Sequence, residues 1–107
     1  MIIAAGNGSA HLPGMIASPT AIPVIGIPLR SNFQDGIDSL FSIIQMPSGV
    51  PIVPTGTMGI NSSYNAGIFA CQILSLKYPY LKEKIGLYKE ALGQEVEAED
   101  LKLKNAY

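Results

Sequence analysis

The residue types that could do chemistry gather near the start, in Gly6-Asn7-Gly8-Ser9-Ala10-His11-Leu12-Pro13-Gly14-Met15, which holds the only histidine. Gly6 and Gly8 lack a Cβ, so the backbone there can turn sharply and approach a ligand closely. Pro13 suits the first turn of a helix, where its missing N–H loses nothing. A strand, a glycine turn and a helix start then aim unpaired N–H groups and the positive helix end at one point, an arrangement that receives a phosphate or carboxylate. Many glycine turns bind nothing, so this spacing leaves both an anion site and a plain turn open. His11 likewise has two readings. An imidazole exchanges protons near neutral pH, which suits acid/base chemistry, or it hydrogen-bonds locally and fixes the loop.

The loop needs elements on either side. Ile2-Ile3-Ala4-Ala5 is apolar without alternation, the pattern of a strand in a parallel sheet covered on both faces. Leu12 to Ser18 predicts a short helix ended by Pro19, and Ile22 to Leu29 a second strand whose prolines belong at a sheet edge or at strand ends. Arg30 to Asp35 is a polar loop at that strand's carboxyl end, where ligands collect in open α/β sheets. Gly36 to Gln45 reads as an amphipathic helix stopped by Met46-Pro47-Ser48-Gly49, and Val50 to Val53 as a third strand. Pro54 to Ser63 reads as a loop, Tyr64 to Leu76 as a helix, and Tyr80 to about Leu92 as a last amphipathic helix before a frayed acidic tail from Glu95. The order βαβαβαα predicts an α/β fold with a parallel sheet. Residues 1–76 would form its core and 77–107 a C-terminal helix and tail. The first strand opens the chain yet has the composition of an interior strand, so we expect the chain to start inside a larger fold.

Composition narrows the function classes. With 107 residues, 48% apolar and 14% charged, the chain has room for one folded domain. A net charge of −1 offers no basic field for nucleic acid or an anionic membrane surface. Cys71 is the single cysteine, which excludes an internal disulfide and fits a reducing compartment; its apolar neighbours make it a core residue. No apolar run reaches the roughly 18 residues of a membrane span, and no charged segment opens a secretory signal. A soluble, cytoplasmic protein is expected. One histidine, one cysteine and scattered carboxylates make no metal-ligand set.

Ala10-His11-Leu12-Pro13-Gly14-Met15, then Pro23-Val24-Ile25-Gly26-Ile27-Pro28, then Gly36-Ile37-Asp38-Ser39-Leu40-Phe41-Ser42-Ile43-Ile44-Gln45-Met46-Pro47 resemble the class I N5-carboxyaminoimidazole ribonucleotide mutase family. The resemblance continues through Gly49-Val50-Pro51 and Asn65-Ala66-Gly67 to Gln72-Ile73-Leu74. It implies a flavodoxin-like, three-layer α/β/α domain assembled as a homo-octamer, with the C-terminal helix packed on neighbouring subunits. The implied substrate is a small ribonucleotide in purine synthesis, with no metal and no organic cofactor. A Gly-Ser-x-Ser-Asp loop and a Ser-Ala-His-Arg loop, which hold the ribose phosphate and supply the proton-shuttling histidine in the family, precede the part that corresponds to Met1. Their roles therefore transfer to no residue of this chain.

What transfers is the Gly6 to Leu12 loop, Gly6, Asn7, Gly8, Ser9, Ala10, His11 and Leu12, expected to hold the migrating carboxylate or CO2 with backbone N–H groups, with His11 supporting the site. Holding CO2 while a C–C bond re-forms needs a dry pocket, aligned donors and one acid/base group. Ser31 is either a substrate contact or a turn residue. Asp38 is either a substrate-side carboxylate or a helix N-terminal stabiliser. Met46 and Pro47 end a helix, and the resemblance would also bring them to a neighbouring subunit's pocket. Direct carboxylation by CO2 is the neighbouring chemistry. A non-catalytic remnant or oligomeric scaffold of the same fold is the alternative of another class.

Overall fold

A computed structural model describes residues 1–7, 11–30, 36–55 and 60–107, with the side chain of Ile60 excepted. The elements run β1 (Ile2–Gly6), α1 (His11–Ala17), β2 (Val24–Pro28), α2 (Ile37–Ile44), β3 (Val53–Pro54), α3 (Ile60–Leu74) and α4 (Pro79–Ala106). The strands form one parallel sheet in the order β1-β2-β3. Ile2 stands opposite Val24 and Gly6 opposite Pro28, while Ile25 and Gly26 stand opposite Val53 and Pro54. Of the two places open to its prolines, β2 takes the strand ends: it lies between two neighbours, all five of its residues are buried, and Pro28 is the last of them.

Alternation along the strands sorts side chains into two layers. Ala4 and Val24 face Ala17 of α1, with Ile2, Ile16, Val50 and Ile52 packed around them. Ile25 and Ile27 face the other way, onto Ala66 and Ala70 of α3, with Met1, Ala5, Leu29 and Phe69 completing that layer. α2 comes down on the α1 side at Gly26. A Cβ there would lie 2.9 Å from Cγ2 of both Ile43 and Ile52, so only glycine lets the helix and the segment that follows it approach the sheet this closely. The helix starts after Gly36, whose φ of 99° is the left-handed conformation that glycine adopts without strain.

Three elements differ from the sequence expectation by more than two residues at one end. The third strand is two residues, Val53–Pro54, rather than Val50 to Val53, because Pro51 before it and Pro54 at its end have no N–H to give the ladder. Val50 and Ile52 pack as loop residues instead. α3 begins at Ile60 rather than Tyr64, since Asn61, Ser62 and Ser63 suit a helix start and Ser62 is tied to Thr55. α4 does not fray after Glu95 but continues to Ala106. Its final stretch is built from strong helix formers, and Asp100 and Lys104 pair at 2.7 Å one turn apart.

The chain divides into two compact units, Met1–Ala70 and Cys71–Tyr107, so the division falls within α3. In the second unit Pro79 is the first residue of α4 and Tyr78, just before it, is extended, the conformation a following proline imposes. Tyr78 and Tyr80 stack at a tilt with centroids 6.2 Å apart, and the Lys84 ammonium lies 5.8 Å from the Tyr80 ring centre. No residue of α4 is buried.

Candidate active site

In a parallel sheet every strand ends at the same edge, and the helices that follow begin there. That edge collects Gly6 and Asn7 after β1, Arg30 after β2, Thr55 after β3, and the first turns of α1, α2 and α3. The β1–β2 pairing holds right up to it, with the Leu29 N–H donating to the Gly6 carbonyl at 2.8 Å. Three helix N-termini therefore bring their positive ends to this edge of the sheet, the electrostatics that suit an anion.

His11 is the first residue of α1, not a residue of the loop before it, and is exposed, as are Asn7 and Leu12. Pro13, in the same helix, is buried and anchors it. Asp38 lies half-buried in the first turn of α2, and its carbonyl accepts a hydrogen bond from Ser42 Oγ at 2.9 Å. Gly6, Asn7, His11, Leu12 and Asp38 thus share the carboxyl edge. Gly8, Ser9, Ala10 and Ser31 lie outside the described residues.

Met46 and Pro47 lie past the far end of α2, away from that edge. Met46 is half-buried, and its Cε would be 3.0 Å from a Cβ on Gly14, so it packs directly on the α1 backbone. Exposed Pro47 accepts the Val50 N–H at 3.1 Å and closes the turn that Gly49, with φ 89°, completes. The sequence reading passes over Thr55. Its hydroxyl lies 3.1 Å from Ser62 Oγ and 3.1 Å from the Ser62 carbonyl, while Ser62 Oγ donates back to the Thr55 carbonyl at 2.5 Å. Both residues are buried. This reciprocal clasp sets the start of α3 against the end of β3, and its signal was a hydroxyl immediately after a strand. Among the described residues no three His, Cys, Asp or Glu side chains come together.

The family model described as AIR carboxylase matches residues 1–95. The chain belongs to the AIR carboxylase family. Its three-stranded parallel sheet with flanking helices is the flavodoxin-like α/β fold of that family. The chain is 52% identical over 96 residues to the N5-carboxyaminoimidazole ribonucleotide mutase of Thermotoga maritima, covering 90% of this chain and 54% of that protein. Against the Pyrococcus abyssi mutase it is 51% identical over 90 residues, covering 84% and 50%. Against the phosphoribosylaminoimidazole carboxylase of Schizosaccharomyces pombe it is 54% identical over 81 residues, covering 76% and 14%. This chain spans about half the length of the curated mutases it matches.

Proposed function

We propose that this chain carries the carboxylate-handling part of an N5-carboxyaminoimidazole ribonucleotide mutase of purine synthesis. The observation that carries the reading is the 52% identity with a mutase over 90% of the chain, a match that takes in most of the carboxyl edge of the sheet. The reaction moves a carboxyl group from the exocyclic nitrogen to the adjacent ring carbon of the aminoimidazole ribonucleotide. The bond between the carboxyl carbon and the exocyclic nitrogen breaks, the nitrogen takes up a proton and CO2 is released. The ring carbon then attacks the CO2, and the ring proton leaves to a base, which restores the proton spent at nitrogen. Backbone N–H groups of the Gly6 to Leu12 loop, aided by the α1 N-terminus, hold the carboxylate and the CO2. His11 stands at the opening of α1, where its imidazole either moves the ring proton or hydrogen-bonds the loop in place. Ser31 and Asp38 serve the substrate side, and Met46 and Pro47 serve a neighbouring subunit of a cytoplasmic homo-oligomer, an octamer by the resemblance. No metal or organic cofactor enters this scheme.

The test is an assay of this 107-residue chain for interconversion of the N-carboxy and C-carboxy aminoimidazole ribonucleotides, with His11→Ala beside it. Conversion by the parent that falls at least ~100-fold in His11→Ala would make His11 central to the chemistry. A folded but inactive parent would favour the scaffold reading for these residues. The similarity to a carboxylase of Schizosaccharomyces pombe supports a second reading, direct carboxylation. Product formed from the uncarboxylated ribonucleotide and CO2, but not from the N-carboxy compound, would select it.

A further inference from the structure

Among the described residues, Ser39 is the buried polar side chain that the fold leaves unanswered. It is the third residue of α2, is 0% exposed, and its hydroxyl has no hydrogen-bond partner. Thr55 and Ser62, also buried, satisfy one another. A buried hydroxyl without a partner forfeits the bonds that water would give it, so such a group in a folded protein calls for a reason. Packing supplies none, because alanine fills nearly the same space and favours the helix more.

The direction of the hydroxyl follows from the helix. Ser39 lies one turn before Ile43 on the same face of α2, and Ile43 Cγ2 would be 2.9 Å from a Cβ on Gly26, so this face rests on β2. A helical turn rises about 5.4 Å and two strand residues about 6.6 Å, which places Ser39 over the Pro28 end of β2. Pro28 is fully buried there, and its partner across the ladder is Gly6. Side chains on a helix tilt toward its N-terminus, so the hydroxyl is aimed at the carboxyl edge. At that edge α2 begins after Gly36, which has no side chain to cap it. An unpaired hydroxyl and an uncapped helix start thus converge beside Gly6, and both complement an acceptor that carries negative charge.

We propose that Ser39 is a substrate-binding residue whose hydroxyl donates to an oxygen of the carboxylate or CO2 held at this edge. The identity of that ligand rests on the mutase reading, whereas the donor rests on the unpaired hydroxyl. Full burial keeps water from competing for the bond, and the hydroxyl is in place before the ligand arrives.

The experiment measures stability and binding on the 107-residue chain. Without ligand, Ser39→Ala should raise the urea midpoint by more than Ser42→Ala does. Ser42 donates to the Asp38 carbonyl, so its variant controls for the helix propensity of alanine. A fall, or a rise no larger than the control's, means that the Ser39 hydroxyl is bonded within the fold and overturns the inference. The parent should bind the C-carboxy aminoimidazole ribonucleotide about tenfold more tightly than the uncarboxylated one. Ser39→Ala should lose that preference, and Ser39→Cys, a weaker donor of similar size, should keep part of it. A parent that binds both equally, or an intact preference in Ser39→Ala, also overturns the inference. If the parent binds neither ribonucleotide, the mutase reading fails for these residues and formate decides the donor. Formate should then raise the urea midpoint of the parent and leave that of Ser39→Ala unmoved. Equal shifts in both, or none in either, overturn the inference.

Discussion

Gly26 is the residue on which the approach of α2 to the sheet depends. Gly26→Ala places a methyl 2.9 Å from two stiff, β-branched isoleucines, one of them, Ile43, fully buried. Overpacking of this kind costs about 1–3 kcal/mol, to be read as a lower urea midpoint at unchanged slope. Thr55→Val keeps the shape of the side chain but leaves buried Ser62 without its hydroxyl partner, a loss of about 1–2 kcal/mol, whereas Thr55→Ser should restore most of it. His11 behaves oppositely. It is exposed, so His11→Ala should move the unfolding midpoint by less than about 0.5 kcal/mol, and any large loss of turnover would then be chemical rather than structural.

At the scale of elements, the amphipathic helix over Gly36 to Gln45 and the strands at Ile2 and Val24 were legible because apolar spacing is a local property. The errors all have non-local or competing causes. Asn61, Ser62 and Ser63 suit the start of α3, but what holds it there is the bond from Ser62 to Thr55, seven residues away at the end of β3, which apolar spacing does not carry. In α4 an acidic run looks like a solvated tail, yet helix propensity summed over Glu95 to Ala106 wins. Gly93, two residues before that stretch, lowers the propensity of α4 without a packing reason, since a Cβ there meets nothing within 4 Å. Gly93→Ala should therefore strengthen α4 by about 0.5–1 kcal/mol, visible as helical circular dichroism retained to higher temperature.

For the molecule as a whole, β1 is an outer strand of the sheet among the described residues, and its composition has a consequence for association. An apolar edge strand templates pairing with any extended chain. Ile3→Lys should lengthen the lag before thioflavin-positive aggregates form at a given concentration, and an unchanged lag would show that β1 is not where association begins. The candidate site is also a property of the whole sheet, because its residues come from segments that run from Gly6 to Ser62 and meet only where parallel strands end together.

The residues by themselves were enough for the α/β class and for the family, and they single out the Gly6 to Met15 segment as the candidate site. These follow from apolar periodicity, from the freedom of glycine backbone and from an ordered set of short motifs, all written along the chain. Three features needed the tertiary structure: the place of β2 between two neighbours, the clasp between Thr55 and Ser62, and the separation of Met46 and Pro47 from the carboxyl edge. Each depends on which distant segments meet. That choice is made by packing volume and hydrogen-bond satisfaction across the fold, which no local stretch of sequence encodes.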